Sequence, residues 1–252
     1  MSLFKDYSKY YNVLYKDKNY NAETDYVIDL IKQFNPEAHS ILNLGCGTGS
    51  HDFVFANKGF DITGVDLSQD MIDVANAKKT NEQGIEFLQG DMRTLRLNKT
   101  MDVVVSLFHV MSYQTTNNDL EAAIKTAFTH LEKDGLFVFD CWYGAGVLTD
   151  RPSVRNKTFE DENYLVKRLS TPKMYANENC VDVIFDVNIV DKKTQQQFEL
   201  NEVHKMRYLF LPEIIYFLNS NGFELLLSEE WLTKKELTYN SWNATFVAQK
   251  NE

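Results

Sequence analysis

The run Ile41-Leu42-Asn43-Leu44-Gly45-Cys46-Gly47-Thr48-Gly49, together with Asp66, is the part of this chain best suited to hold a ligand. Ile41 to Leu44 reads as a short buried strand. It opens into three glycines at alternate positions, where side chains would block close approach of a ligand to the backbone. Asp61-Ile62-Thr63-Gly64-Val65 reads as a second strand, and Asp66 ends it, 21 residues after Gly45. That is near the roughly 20 residues at which a nucleotide-binding α/β unit places its ribose-binding acid. A glycine turn and a carboxylate so spaced predict an adenosine site. The pattern is Gly-x-Gly-x-Gly with Ser50 next, so the third glycine of a dinucleotide turn is missing. NAD is therefore not expected to bind.

The elements that must position this turn can be read from periodicity. Val27, Leu30, Ile31 and Phe34 mark a helix over 22–34. Strands are predicted at 41–45, 61–65, 85–88, 102–107 and 135–140. Helices at about 51–58, 69–79 and 118–132 alternate with them, the last capped by Asn117 or Asn118. This rhythm predicts a doubly wound parallel sheet. Ten of the eleven glycines lie between Gly45 and Gly146, and after Asp150 the pattern changes. Val181, Val183, Phe185, Val187 and Ile189 alternate with mostly polar neighbours, and Phe198, Leu200, Glu202, His204, Met206 and Tyr208 repeat the period. Antiparallel strands with a turn at Asp191 to Thr194 follow. A helix over 212–221, opened by Pro212 and closed by Asn221-Gly222, precedes strands at about 223–228 and 243–249. Glu202 and His204 share an otherwise apolar face, so they either satisfy each other in the core or line a cavity. Arg207 falls on the opposite face.

The glycine turn resembles motif I of the class I S-adenosylmethionine-dependent methyltransferases, and four later segments extend the resemblance in order. Asp66-Leu67-Ser68-Gln69-Asp70-Met71 resembles the ribose-binding acid and the helix after it. Gly90-Asp91-Met92-Arg93 resembles the adenine-contacting segment, and Asp102-Val103-Val104-Val105-Ser106-Leu107-Phe108 resembles motif IV. Leu131-Glu132-Lys133-Asp134-Gly135-Leu136-Phe137-Val138 resembles the turn into strand five. The resemblance implies an α/β fold, a doubly wound seven-stranded Rossmann-like sheet with an antiparallel β insertion over the active site. Residues 1–149 would form an N-terminal lid and the cofactor-binding core. Residues 150–210 would form the insertion on the substrate side, and 211–252 would complete the core sheet. S-adenosyl-L-methionine is the implied cofactor, held by Tyr20, Gly45, Cys46, Gly47, Asp66, Leu67, Met71, Asp91, Met92 and Leu107.

The chain opens with Phe4, Tyr7, Tyr10, Tyr11, Tyr15 and Tyr20, too aromatic for a solvated tail. Tyr11-Asn12-Val13-Leu14-Tyr15, with Lys18-Asn19-Tyr20 and Glu23 behind, resembles the lid of a subgroup that methylates amino groups of nucleotide-linked sugars. Gly47-Thr48-Gly49-Ser50-His51 resembles the same subgroup, whereas Asp140-Cys141-Trp142-Tyr143-Gly144 keeps only its tryptophan-aromatic pair. The implied acceptor is a small molecule, foremost a nucleotide-linked amino sugar, contacted by Tyr11, Tyr15, Tyr113, Trp142 and Glu202. Small-molecule O-methyl transfer and a non-catalytic S-adenosylmethionine-binding module are the alternatives. An attacking amine must first lose its ammonium proton, which a histidine near neutrality accepts. His109, after motif IV, and His204 are the candidates.

Composition narrows the partners. A net charge of −10 argues against nucleic acid, and no apolar run reaches the ~20 residues of a membrane span. The Asn/Asp-Pro-Pro-Tyr form of motif IV used on exocyclic base amines is replaced by Ser106-Leu107-Phe108-His109. Cys46, Cys141 and Cys180 have no paired spacing, and the five histidines show no metal-binding pattern. The start Met-Ser-Leu-Phe-Lys-Asp-Tyr has no signal-peptide core, so a cytoplasmic enzyme is expected. A homodimer is compatible with these features.

Overall fold

A computed structural model describes residues 13–80 and 84–251. Its core alternates helix and strand: α1 (Tyr20–Phe34), β1 (Ser40–Leu44), α2 (Ser50–Asn57), β2 (Asp61–Asp66), α3 (Gln69–Lys78), β3 (Ile85–Gln89) and β4 (Met101–Ser106). A 3-10 turn (Val110–Tyr113), α4 (Asn117–Thr129), β5 (Leu131–Trp142) and α5 (Gly144–Thr149) follow. Four long strands come next: β6 (Arg155–Glu160), β7 (Tyr164–Tyr175), β8 (Cys180–Asp191) and β9 (Gln197–Arg207). The chain ends with α6 (Leu211–Ser220), β10 (Phe223–Glu230) and β11 (Asn243–Lys250).

Seven strands pair in the order β10-β11-β5-β4-β1-β2-β3, and β6-β7-β8-β9 form a second, four-stranded sheet. The inner strands of the first sheet are parallel, while β11 runs antiparallel to both β5 and β10. The expected seven-stranded Rossmann-like sheet is therefore the observed one. Alternate residues of each strand serve opposite helix layers. Ile41, Val103, Val105 and Val138 pack with Val27 and Ile31 of α1 and Phe55 of α2. Leu42, Leu44, Val104 and Phe139 pack with Ile124 of α4 and Leu218 of α6. Order reversal between β1 and β4 opens a crevice at the carboxyl ends of these strands, where open α/β sheets bind ligands.

Two local expectations are corrected. Thr116, not Asn117 or Asn118, caps α4, its hydroxyl accepting the Asp119 N–H at 3.1 Å. Thr116→Ala should cost about 0.5–2 kcal/mol, measured as a lower midpoint in urea unfolding. The strand expected at 135–140 begins earlier, at Leu131, because Glu132 to Asp134 are exposed and gave no apolar signal. Strands β6 and β7 lie within the expected β insertion, but the sequence pattern marks neither one individually. β6 offers one apolar side chain, Phe159, and the inward face of β7 carries Arg168, Ser170 and Pro172 where a packed core would carry aliphatics. Pro172 is tolerated because β6 pairs with β7 only as far as Ser170, so the proline sits where β7 is an edge.

Candidate active site

The glycine turn leaves β1 and enters α2 by a left-handed path. Gly45, Gly47 and Gly49 have φ of +88°, +56° and +74°. The N–H groups of Gly45 and Cys46 both donate to Val65 O, at 2.7 and 3.0 Å, which ties the turn to β2. A Cβ on Gly45 would stand 2.5 Å from Val110 Cγ1, so this position is glycine for close packing. At Gly47 a Cβ would meet nothing within 4 Å; its direction opens into the crevice. The Asp66 carboxylate caps the arrangement, accepting the Gly47 N–H at 2.8 Å and the Ser68 N–H at 2.9 Å. Burial raises the Asp66 carboxyl above the ordinary range, and those two N–H donors act against the rise.

A cavity of about 320 Å³ lies between this turn and the second sheet. It brings together most residues singled out above: Tyr15, Tyr20, Gly45, Cys46, Gly47, Asp66, Met71, Leu107, His109, Tyr113, Trp142 and His204. Leu67, Asp91, Met92 and Glu202 are not on its wall. Leu67 is 62 % exposed, beside Asp66. The Asp91 carboxylate is held by the Arg93 guanidinium at 2.6 Å, which keeps its pKa low, and Arg93 also reaches Asp119 at 3.0 Å. Met92 is buried against the Gln114 amide. Glu202 stands behind His204, its Oε2 2.9 Å from Nε2. Tyr11 lies outside the described residues.

The segment before α1 closes one side. The Tyr15 ring meets Phe108 edge-on at 5.1 Å, and the Lys18 ammonium sits 4.0 Å from the Phe108 ring centroid. Glu23 of α1 joins the Lys18 ammonium to His51 of α2, its Oε2 2.7 Å from His51 Nε2. Burial pushes the Glu23 carboxyl up, but His51 and Lys18 together bring it below the ordinary carboxylate range.

The two candidate bases differ. Phe108 and His109 adopt φ of +65° and +63°, an unfavourable conformation for non-glycine residues in succession. Buried Asp140 holds it, both oxygens accepting the His109 N–H at 3.1–3.2 Å. His109 Nδ1 lies 2.6 Å from Asp140 Oδ2, a close contact not aligned as a hydrogen bond. His204 has both ring nitrogens engaged, Nδ1 with the Tyr113 hydroxyl at 2.8 Å and Nε2 with Glu202.

One feature of the wall had no legible signal. Arg155 and Lys157 of β6 and Arg168 of β7 line the cavity, with Lys157 directly opposite Arg168 in register. The Arg168 guanidinium stacks 4.7 Å from the Phe185 ring centroid and 5.2 Å from that of Phe159. Cations on a strand ordinarily read as a solvated face. Here three of them gather on one concave wall of a chain whose net charge is −10.

The residues present suit S-adenosylmethionine. The open Gly47 backbone admits a ligand at the turn, and an ionised Asp66 retains acceptor capacity for ribose hydroxyls beyond its two backbone bonds. A family model described as a methyltransferase domain matches residues 41–135. The dTDP-3-amino-3,4,6-trideoxy-alpha-D-glucopyranose N,N-dimethyltransferase of Streptomyces venezuelae is 36% identical over 184 residues, covering 72% of this chain and 76% of that one. The crystal structure of Streptomyces venezuelae DesVI superimposes with a TM-score of 0.82 at 25% identity, over 98% of this chain and 99% of that one. S-adenosylmethionine-bound CalS10, an amino pentose methyltransferase from Micromonospora echinaspora, shares the fold with a TM-score of 0.76 at 24% identity, over 100% and 99% of the two chains. The chain belongs to the class I S-adenosylmethionine-dependent methyltransferases and, within them, is similar to the nucleotide-sugar N-methyltransferases.

Proposed function

We propose that this methyltransferase acts on the amino group of a sugar carried on a nucleoside diphosphate. The observation that carries this reading is the cationic wall of Arg155, Lys157 and Arg168 in an otherwise acidic chain. Cations gathered at a cavity match a diphosphate, and guanidinium geometry suits phosphate oxygens. The matched dimethyltransferase acts, by its name, on a dTDP-linked amino sugar, which supports the same class.

Bound S-adenosylmethionine supplies an electrophilic methyl group on a sulfonium, with its own leaving group. The chain's residues align and shield. Asp66 and the Gly45–Gly47 backbone hold the ribose and methionine ends, with Tyr20, Cys46, Met71 and Leu107 around them. Leu67, Asp91 and Met92 flank the adenine end. Tyr15, Tyr113 and Trp142 enclose the acceptor, so that the nitrogen meets the methyl carbon in line and without water. A neutral amine is required, and the proton lost must find a base in this wall.

The chain would then divide into lid and cofactor core (1–149), substrate-side insertion (150–210) and C-terminal completion (211–252). Among the described residues no helix is long and apolar enough to cross a membrane. Cys46, Cys141 and Cys180 are free and buried, which fits a reducing, cytoplasmic setting. The acidic surface disfavours nucleic acid as a partner.

The test compares a nucleotide-linked amino sugar with the same amino sugar lacking the nucleotide. Arg155 and Lys157 are exposed, so replacing either with glutamine should raise the KM of the linked acceptor about two- to fivefold, as expected for solvent-screened charge pairs. The KM of the unlinked sugar should not change. Equal effects on both acceptors would remove the diphosphate from the proposal.

A further inference from the structure

The cavity wall contains a buried polar chain that alignment and shielding do not require. Tyr113 ends the 3-10 turn after β4, and His204 and Glu202 lie two residues apart on β9. The chain runs Tyr113 Oη to His204 Nδ1, 2.8 Å, then His204 Nε2 to Glu202 Oε2, 2.9 Å. The His204 and Glu202 side chains are only 4% and 8% exposed, and the Phe185 ring packs 4.9 Å from the imidazole. Tyr113 and His204 line the cavity, whereas Glu202 stands one layer back.

Proton positions in this chain follow from its chemistry. Burial, with Tyr15, Glu202 and Asp66 nearby, raises the Tyr113 hydroxyl well above the usual phenol range, so it keeps its proton and donates. A carboxylate only accepts, so Nε2–H points to Glu202 and Nδ1 accepts from Tyr113. Resting on the reading above, we infer that Tyr113, His204 and Glu202 form a proton relay for the methylated nitrogen, with Tyr113 the group that touches the acceptor. As the nitrogen–methyl bond forms, the methyl–sulfur bond breaks and its electron pair stays on the departing thioether; the nitrogen–hydrogen bond of the new ammonium then breaks. Its proton passes to Tyr113 Oη, and the proton already there passes to His204 Nδ1. The Glu202 carboxylate balances the imidazolium, and tyrosine ends as it began. A phenol oxygen both accepts and donates, which this handover needs. His204 cannot take the proton directly without breaking one of its two bonds. His109 differs: Asp140 is committed to holding its strained backbone.

Two readouts test the relay. Nitrogen-15 NMR of the cofactor-free protein reports the His204 tautomer. The expected state is the Nε2–H tautomer, with Nε2 toward Glu202 and Nδ1 accepting from Tyr113. The groups facing this histidine are Glu202 on β9, Tyr113 on the 3-10 turn and, by way of Phe185, Arg168 on β7, while Tyr15 and Asp66 act on the Tyr113 hydroxyl. Turnover provides the second readout. Tyr113→Phe should lower kcat about a hundredfold, the usual scale of acid–base assistance, and leave the Kd for S-adenosylmethionine within about twofold. An Nδ1–H tautomer overturns the relay. So does a wild-type kcat in Tyr113→Phe, or a comparable loss in His109→Asn without one in Tyr113→Phe. Methylation of hydroxyl acceptors alone would refute the amino-sugar reading, while the same variants still decide the relay, which can also receive a hydroxyl proton.

Discussion

Asp66→Ala is expected to weaken S-adenosylmethionine binding by tenfold or more in a protein that still folds. Both Asp66 oxygens already hold backbone N–H groups, at 2.8 Å from Gly47 and 2.9 Å from Ser68. An ionised carboxylate has about four acceptor positions, so others remain that ribose hydroxyls would use in the proposed site. Each charged hydrogen bond is worth about 1.5–3 kcal/mol, and about 1.4 kcal/mol is tenfold in affinity. The substitution also releases the Gly47 N–H, so the turn loses the group that shapes it. Because burial raises the Asp66 carboxyl, affinity should fall on acidification at a higher pH than an ordinary aspartate would give. Calorimetry on a folded variant reads both effects. Unchanged affinity would remove Asp66 from the cofactor site.

Gly47→Leu should separate the cavity from the fold. A Cβ at Gly47 has no neighbour within 4 Å, so a leucine there meets no protein atom at its first carbon and projects into the crevice. The left-handed φ of +56° adds about 1–2 kcal/mol of backbone strain, which a domain of this size should survive. Overfilling a binding site by a side chain costs about 1–3 kcal/mol, which is roughly five- to 150-fold in cofactor affinity. Gly45→Leu should behave oppositely, since its Cβ would collide with Val110 at 2.5 Å and displace the turn that carries Tyr113. Thermal melts and calorimetry on the two variants distinguish these outcomes. Equal loss of stability in both would show that Gly47 is a packing glycine.

The core was legible because its strands are buried on both faces. Val103, Val104 and Val105 are all fully buried, and such a run needs no alternation to be recognised. The glycine turn and Asp66 were legible because left-handed backbone favours glycine and the acid stands at the spacing an α/β ligand-binding unit uses. The pairing of Glu202 with His204 followed from a period of two on β9. β6 and β7 were not legible, because a strand that faces a polar cavity loses the apolar repeat by which strands are read. The same cause hid Arg155, Lys157 and Arg168. Asp91 illustrates another limit: its position after β3 was expected, but its capture by Arg93 depends on a side chain two residues away folding back. Likewise, the strained backbone at Phe108 and His109 is held by Asp140, which is 31 residues beyond His109 in the chain.

The amino-sugar claim is tested most directly by locating the transferred methyl group. The protein is incubated with S-adenosylmethionine and a nucleoside diphosphate-linked amino sugar, and the product is fragmented by mass spectrometry. The account predicts one or two methyl groups on the sugar nitrogen, formed together with S-adenosylhomocysteine. Methyl groups found only on hydroxyl oxygens, or no S-adenosylhomocysteine with any amino sugar of this class, would contradict it.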